Sequence, residues 1–308
     1  MEQKNPFYLW GEKADLIGLK EELRFVDSFL SNVESGKKSV LSVTSLPGCG
    51  KSSFLEKIAS VCESRAFVVS FVRFEFGESH FETISQFLPI SADRSSKPVI
   101  VILDDLDKAK NFRSLLVEIQ NLSSSLKVGF IISSLVQLDF PGARSIHLSE
   151  FGSFESHELI SNSLKSTSIK MGEECISTLL DESSGNPRLL KLIGYFLFEK
   201  LKPNEKIITK GHYLSLFPQI LSFIAKEWFS RLLAGVSKKE ALILRLFSNT
   251  STLSVSQMAS SLKIPLSQVT SMVIRLEKKG FLQKVERGKY KIFSKIFAKY
   301  LLSLNSSL

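Results

Sequence analysis

The residues with the plainest chemical purpose lie at 45–53, Ser-Leu-Pro-Gly-Cys-Gly-Lys-Ser-Ser. Their spacing follows Gly-x-x-x-x-Gly-Lys-Ser/Thr, a loop that wraps phosphate oxygens, with Ser45 standing where the first glycine is usual. Gly48 and Gly50 let backbone N–H groups turn toward phosphate without a side-chain clash. Lys51 is placed to reach the β- and γ-phosphates and the Ser52 hydroxyl to ligate Mg²⁺. Pro47, Cys49 and Ser53 complete the contact with the nucleotide. A helix beginning at Lys51 would add the partial positive charge of its N-terminus. The cofactors implied are ATP or ADP with Mg²⁺.

A second constellation is Val-Ile-Val-Ile-Leu-Asp-Asp-Leu-Asp at 99–107. An apolar strand delivers a carboxylate, Asp104, to the sheet edge, where it can hold Mg²⁺ and its waters. Asp105 follows, at the place where many ATPases carry a Glu that polarises the attacking water. Asp105 and Asp107 have an alternative reading as a helix N-cap or a solvated loop. The run Val128–Ser133 ends on Ser133-Ser134, where Ser133 either touches the γ-phosphate or closes a strand. Two arginines are candidates for charge neutralisation: Arg188 in Gly-Asn-Pro-Arg, and Arg144 after the Val128 strand. The alternative for each is a structural ion pair or an exposed side chain.

The elements that must position these groups can be read from periodicity. Leu23, Val26, Phe29, Leu30 and Val33 recur at helical spacing over Lys20–Val33. Short β-type runs at Val40–Thr44, Ala66–Phe74, Pro98–Asp104, Val128–Ser133 and Ser145–Leu148 alternate with helices at Lys51–Cys62 and Phe112–Leu126. That alternation predicts a doubly wound α/β domain over 1–150. Strand signals then stop. Phe154–Lys165, Gly172–Ser183 and Pro187–Lys200 read as helices of a small lid spanning 151–236, with Pro187 suited to a first helical turn.

The last segment, 237–308, reads differently. Lys238–Ser248 is amphipathic, Ser254–Leu262 is a short helix with Ser254 as N-cap, and Leu266–Lys279 is a longer helix with apolar Leu266, Val269, Val273 and Leu276. The β-type runs Phe281–Glu286 and Lys289–Phe293 flank Arg287-Gly288. The pattern predicts a winged helix whose second motif helix enters a major groove. On it Gln268 and Ser271 could read base edges; Arg275 and Lys278, with Arg287 and Lys289 of the wing, would hold phosphates. This segment carries 13 Lys/Arg against 3 Asp/Glu, leaving 27 against 28 in the rest of the chain. A neutral body with a basic end points to a polyanionic partner, duplex DNA; the alternatives are a solvated basic surface or a protein-docking module.

Composition narrows the remaining classes. The 308 residues are 44% hydrophobic and 23% charged, ordinary for a globular protein with a real core. No apolar run reaches the ~18 residues of a membrane span, and the N-terminus lacks a secretory pattern, so the expectation is a cytoplasmic protein with no membrane partner. Cys49, Cys62 and Cys175 are an odd number at unrelated spacings, and His80, His147, His157 and His212 have no metal-ligand spacing.

Taken together, Leu-Ile-Gly-Leu-Lys-Glu-Glu-Leu at 16–23, the Gly-rich loop, the Asp104 strand, the Ser133 strand, Gly-Asn-Pro-Arg and the basic end give an order of parts that resembles the AAA+ ATPases and their signalling relatives, the STAND ATPases. The resemblance covers roughly residues 14–300. It is greatest to archaeal STAND-like ATPases and to origin-recognition and replication-initiator ATPases. It implies that Leu16 and Ile17 line an adenine pocket, that Arg188 is a lid sensor arginine, and that the fold is a P-loop NTPase sheet, helical lid and winged helix. The Asp-Asp form at 104–105 looks more like the STAND branch and implies a slow switch. Assembly into a homo-oligomer, docking of the winged helix on a protein partner, and a replication-initiator or transposition-helper role are the alternatives that the resemblance leaves open.

Overall fold

The computed structural model describes residues 4–7, 16–37, 39–75, 83–88, 97–125, 128–135, 137–138, 140 and 142–304. His80, Leu126 and the terminal stretch 305–308, named above, lie outside them. The chain divides into two compact units: Gly18–Ser149, and residues from Glu150 onward together with those before Gly18.

The first unit opens with α1 (Lys20–Glu34), which buries Val26, Phe29, Leu30 and Val33 as its spacing predicts. Then come β1 (Ser39–Ser45), α2 (Lys51–Ser64), β2 (Val68–Arg73), β3 (Val99–Asp104), α3 (Phe112–Ser125), β4 (Val128–Ser134) and β5 (Arg144–Leu148). The strands form one sheet in the order β2-β3-β4-β1-β5, with every pairing parallel. Every residue of β1, β3 and β4 is buried, as their unbroken apolar runs require of strands covered on both faces. In the edge strand β5 only Ile146 and Leu148 are buried. Gly129 shows how closely α1 lies on the sheet: a Cβ there would stand 2.6 Å from Val33 Cγ2 and 2.8 Å from Ile100 Cδ1.

Strand order decides where the chemistry gathers. β4 lies between β1 and β3, so the C-terminal ends of these three strands are neighbours. The register pairs Leu103 with Ile132 and Thr44 with Ser134. One step further, Asp104, Ser133 and the loop after β1 meet at one sheet edge, the place where open α/β sheets bind ligands.

The second unit contains α4 (Ser153–Leu164), β6 (Lys170–Met171), α5 (Glu173–Ser183), α6 (Pro187–Glu199), β7 (Ile207–Ile208), α7 (Lys210–Ile224) and α8 (Ser230–Leu233), the last two joined by a π-helical turn at Ala225–Phe229. The sequence predicts no strand in the lid, yet β6 and β7 pair in parallel; two residues each are too short to leave a periodicity. Asn186 is fully buried and caps α6, its Oδ1 accepting from the N–H groups of Arg188 and Leu189. Gly185 (φ +73°) is required because a Cβ would meet the Phe151 carbonyl at 2.2 Å.

The unit continues through α9 (Lys238–Arg245), β8 (Thr252–Ser254), α10 (Val255–Leu262), α11 (Leu266–Lys278), β9 (Leu282–Glu286), β10 (Lys289–Ile292) and α12 (Lys295–Ser303). Ser254 caps α10 and shares a capping box with Gln257. β8, β10 and β9 form a three-stranded antiparallel sheet, giving the wing a strand, β8, that the sequence reading lacks. Leu266 is exposed and Met272 takes a place in the core, a shift of the predicted apolar face of α11. The helix α12 is also absent from the sequence reading. It packs on α5, pairing Lys295 with Asp181 and Lys299 with Glu182. Phe229 contacts Phe293, Phe297 and Tyr300, and Trp228 contacts Phe293. An aromatic cluster therefore runs across the position, near 236, where composition shifts.

Candidate functional site: a phosphate loop and a buried carboxylate

The loop after β1 is built for an anion. Ser45, in place of the usual glycine, is the last residue of an extended strand, where a side chain is no hindrance. Gly48 and Gly50 have φ of +83° and +89°, the left-handed region that glycine enters freely. A Cβ at Gly50 would meet nothing within 4 Å, although its φ alone would strain any other residue. Gly50 is the N-cap of α2 and supplies no side-chain cap, so the first-turn N–H groups of that helix are not satisfied by a capping side chain. Lys51 is buried, with Nζ 3.7 Å from Asp105 Oδ1.

Asp104 is the centre of the arrangement. It is 0% exposed, and each oxygen has partners. Oδ1 accepts from Ser133 Oγ at 2.6 Å. Oδ2 accepts from Ser52 Oγ at 2.8 Å and from Arg73 Nε at 3.0 Å. The Ser52 hydroxyl and the Asp104 carboxylate are hard oxygen donors within reach of one ion, a donor set that fits Mg²⁺. Ser133 accepts in turn from the Asp105 N–H at 2.8 Å. That bond helps to hold Asp105 at φ +57°, in a region costly for a non-glycine residue.

Asp105 projects between two lysines, with Oδ1 near Lys51 Nζ and Oδ2 2.7 Å from Lys108 Nζ. Asp107 is half-buried and is not an N-cap: its Oδ2 accepts from the Leu135 N–H at 3.1 Å, and burial raises its carboxyl pKa. Arg144 takes a structural position, donating to Ser28 Oγ on α1 and lying 5.4 Å from the Phe25 ring centroid. Leu16 is half-buried and Ile17 buried. Burial pushes the Cys62 and Cys175 thiols up to about 12.

Arg73 escaped the sequence reading. It ends β2 as Asp104 ends β3, and the register pairs the two. A charged residue closing a β-type run was the visible signal; the adjacency of β2 to β3 was not visible. Arg73 Nη2 also reaches Glu56 Oε1 at 3.3 Å, on the exposed side of α2.

In the second unit, Arg188 stands with its guanidinium 5.0 Å from the Trp228 ring centroid. Burial, and Arg231 after it, lower its pKa to about 10. In the winged helix, Gln268, Ser271, Lys278 and Arg287 are exposed, while Lys289 is partly buried and 3.9 Å from Glu286. Arg275 is committed elsewhere: its Nε donates to Glu240 Oε1 at 2.9 Å, and Lys279 Nζ donates to Oε2 at 2.9 Å. Glu240 is 2% exposed. Burial alone would raise its pKa, but the Ser237 N–H, Lys279 and Arg275 together bring it down to about 2.

Among the described residues no helix is long and apolar enough to cross a membrane. Residues 41–137 match the family model of ATPases associated with various cellular activities (AAA), and residues 236–287 match the MarR family model. No curated protein matches the chain. Among solved structures, the chain is similar to a Walker-type ATPase of Pyrococcus abyssi, with TM-score 0.73 at 16% identity over 96% of this chain and 99% of that one. It is also similar to the Thermotoga maritima RuvB Holliday junction branch migration motor, with TM-score 0.51 at 15% identity over 89% and 92%. Drosophila ORC bound to DNA gives TM-score 0.51 at 12% identity over 97% and 89%. At these identities the likeness is one of fold. With the family matches and the geometry above, it shows a P-loop NTPase sheet of the AAA+ type in the first unit and a MarR-like winged helix at residues 236–287.

Proposed function

We propose that this protein is a slow ATP-dependent switch that engages duplex DNA through its winged helix. ATP sits in the loop around Lys51, with Mg²⁺ held by Ser52 and Asp104. Slowness is supported by Asp105, whose carboxylate lies against Lys51 and Lys108; a carboxylate so paired is a weak base for activating water. Residues 151–236 act as the lid, in which Arg188 reads the γ-phosphate, and 237–308 act as the reading module. Trp228 provides a route between them, since it touches both Arg188 and Phe293 beside the wing.

The observation that carries the DNA reading is the basic surplus of 237–308, 13 Lys/Arg against 3 Asp/Glu, with Lys278 and Arg287 exposed on the recognition helix and wing. The test is fluorescence anisotropy of labelled duplex with the full chain across a salt series. Binding that weakens with salt supports the reading; binding indifferent to salt, or none at low salt, opposes it.

A second reading, in which the winged helix docks on a protein partner, is favoured by two observations. Among the described residues, five of the basic residues, Arg275, Lys279, Lys289, Lys295 and Lys299, are paired within the unit. Leu266, Ile274 and Val285 leave apolar surface on α11 and the wing.

A further inference from the structure

The charge beside Asp104 that the ATPase reading does not use is Arg73. Its Nε donates to Asp104 Oδ2 at 3.0 Å, and Ser52 Oγ donates to the same oxygen at 2.8 Å. Asp104 is fully buried, whereas the Arg73 side chain is about half exposed and has a second anchor in Glu56, an exposed residue of α2. One end of the guanidinium is therefore on the carboxylate and the other on a surface acid one step outward.

A fully buried carboxylate needs a compensating positive charge. A divalent cation held by Ser52 and Asp104 supplies that charge through the oxygen that Arg73 uses. Two cations close to one oxygen repel, and the repulsion is weakly screened at a buried site. Resting on the Mg²⁺–nucleotide reading of this site, we infer that Arg73 is a tethered counter-ion of Asp104 that competes with Mg²⁺ and swings toward Glu56 when the metal binds. Arg73 is thus a positioning residue. It keeps Asp104 aimed, and it sets the Mg²⁺ concentration at which the nucleotide is held.

The test is calorimetric ADP binding by the full chain over a Mg²⁺ series, with a parallel titration in EDTA. Arg73→Gln should reach half of its Mg²⁺-dependent gain in affinity at a Mg²⁺ concentration roughly tenfold lower than wild type, with ADP affinity in EDTA unchanged. Glu56→Gln, at an exposed site that folding tolerates, should move the midpoint to higher Mg²⁺, because the outer anchor of Arg73 is weakened. An unchanged midpoint in both variants, or shifts in the same direction, would overturn the inference. So would a loss of ADP affinity in EDTA by Arg73→Gln, which would make Arg73 a phosphate ligand. If wild-type protein binds no nucleotide in any condition, the ATPase reading itself fails. If wild type binds Mg·ADP and Arg73→Gln matches it, only the role of Arg73 fails.

Discussion

Ser133 Oγ donates to Asp104 Oδ1 at 2.6 Å while accepting from the Asp105 backbone N–H at 2.8 Å. One hydroxyl at the end of β4 thus fixes both consecutive acids at the end of β3. Removing it would leave a buried carboxylate oxygen and a backbone N–H without this partner, at a cost of about 1–3 kcal/mol. Urea unfolding of Ser133→Ala should show a loss of that size. Ser133→Thr, which keeps the hydroxyl, should lose less.

Lys51 is the cation that the phosphate loop itself provides. Lys51→Ala should weaken ATP binding by roughly 30-fold or more, about 2 kcal/mol. Calorimetry showing wild-type affinity in a folded variant would contradict the phosphate-loop assignment.

Asp105 sits against two lysines, so turnover should be slow. A wild-type rate above about 10 per second, near the median enzyme, would contradict a switch. Asp105→Asn should lower turnover and leave ATP binding within severalfold of wild type, read by single-turnover phosphate release beside calorimetry.

Glu240 anchors α9 to α11 through Arg275 and Lys279. Its pKa falls from 4.5 to about 2 on folding. A carboxylate with a depressed folded pKa gives stability that is present above pH 4.5 and is lost as pH falls toward 2. Wild type should therefore lose this contribution over that window. Glu240→Gln should be less stable at pH 7, and its stability should depend less on pH between 4.5 and 2, by thermal unfolding followed by circular dichroism.

Lys278 and Arg287 are the exposed cations of the recognition helix and wing. If each holds one phosphate, replacing either by Gln should weaken binding to all duplex sequences and flatten the slope of log affinity against log salt by about 0.9. Gln268→Ala should instead change preference among sequences. Arg275→Gln should act mainly through stability, because its guanidinium holds Glu240.

The sequence alone determined the five strands of the parallel sheet, the phosphate loop and the identity of Asp104. Each is a local pattern: a buried parallel strand must be apolar throughout, a loop that turns N–H groups inward needs glycine at Gly48 and Gly50, and a capped helix declares itself at Ser254. The basic end was equally legible, because charge is a property of composition. What the tertiary structure decided is which of these pieces touch. The order β2-β3-β4-β1-β5 brought Arg73 and Ser133 to opposite oxygens of one carboxylate, and strand order is set by packing between segments far apart in the chain. The same holds for Arg275, which reads as a phosphate contact along α11 until folding sets it against Glu240 of α9. It holds too for α12, whose Lys295 and Lys299 count toward the basic surplus of 237–308 and meet Asp181 and Glu182 of α5. Local patterning specifies elements and their chemistry; long-range pairing chooses the partner of each charge.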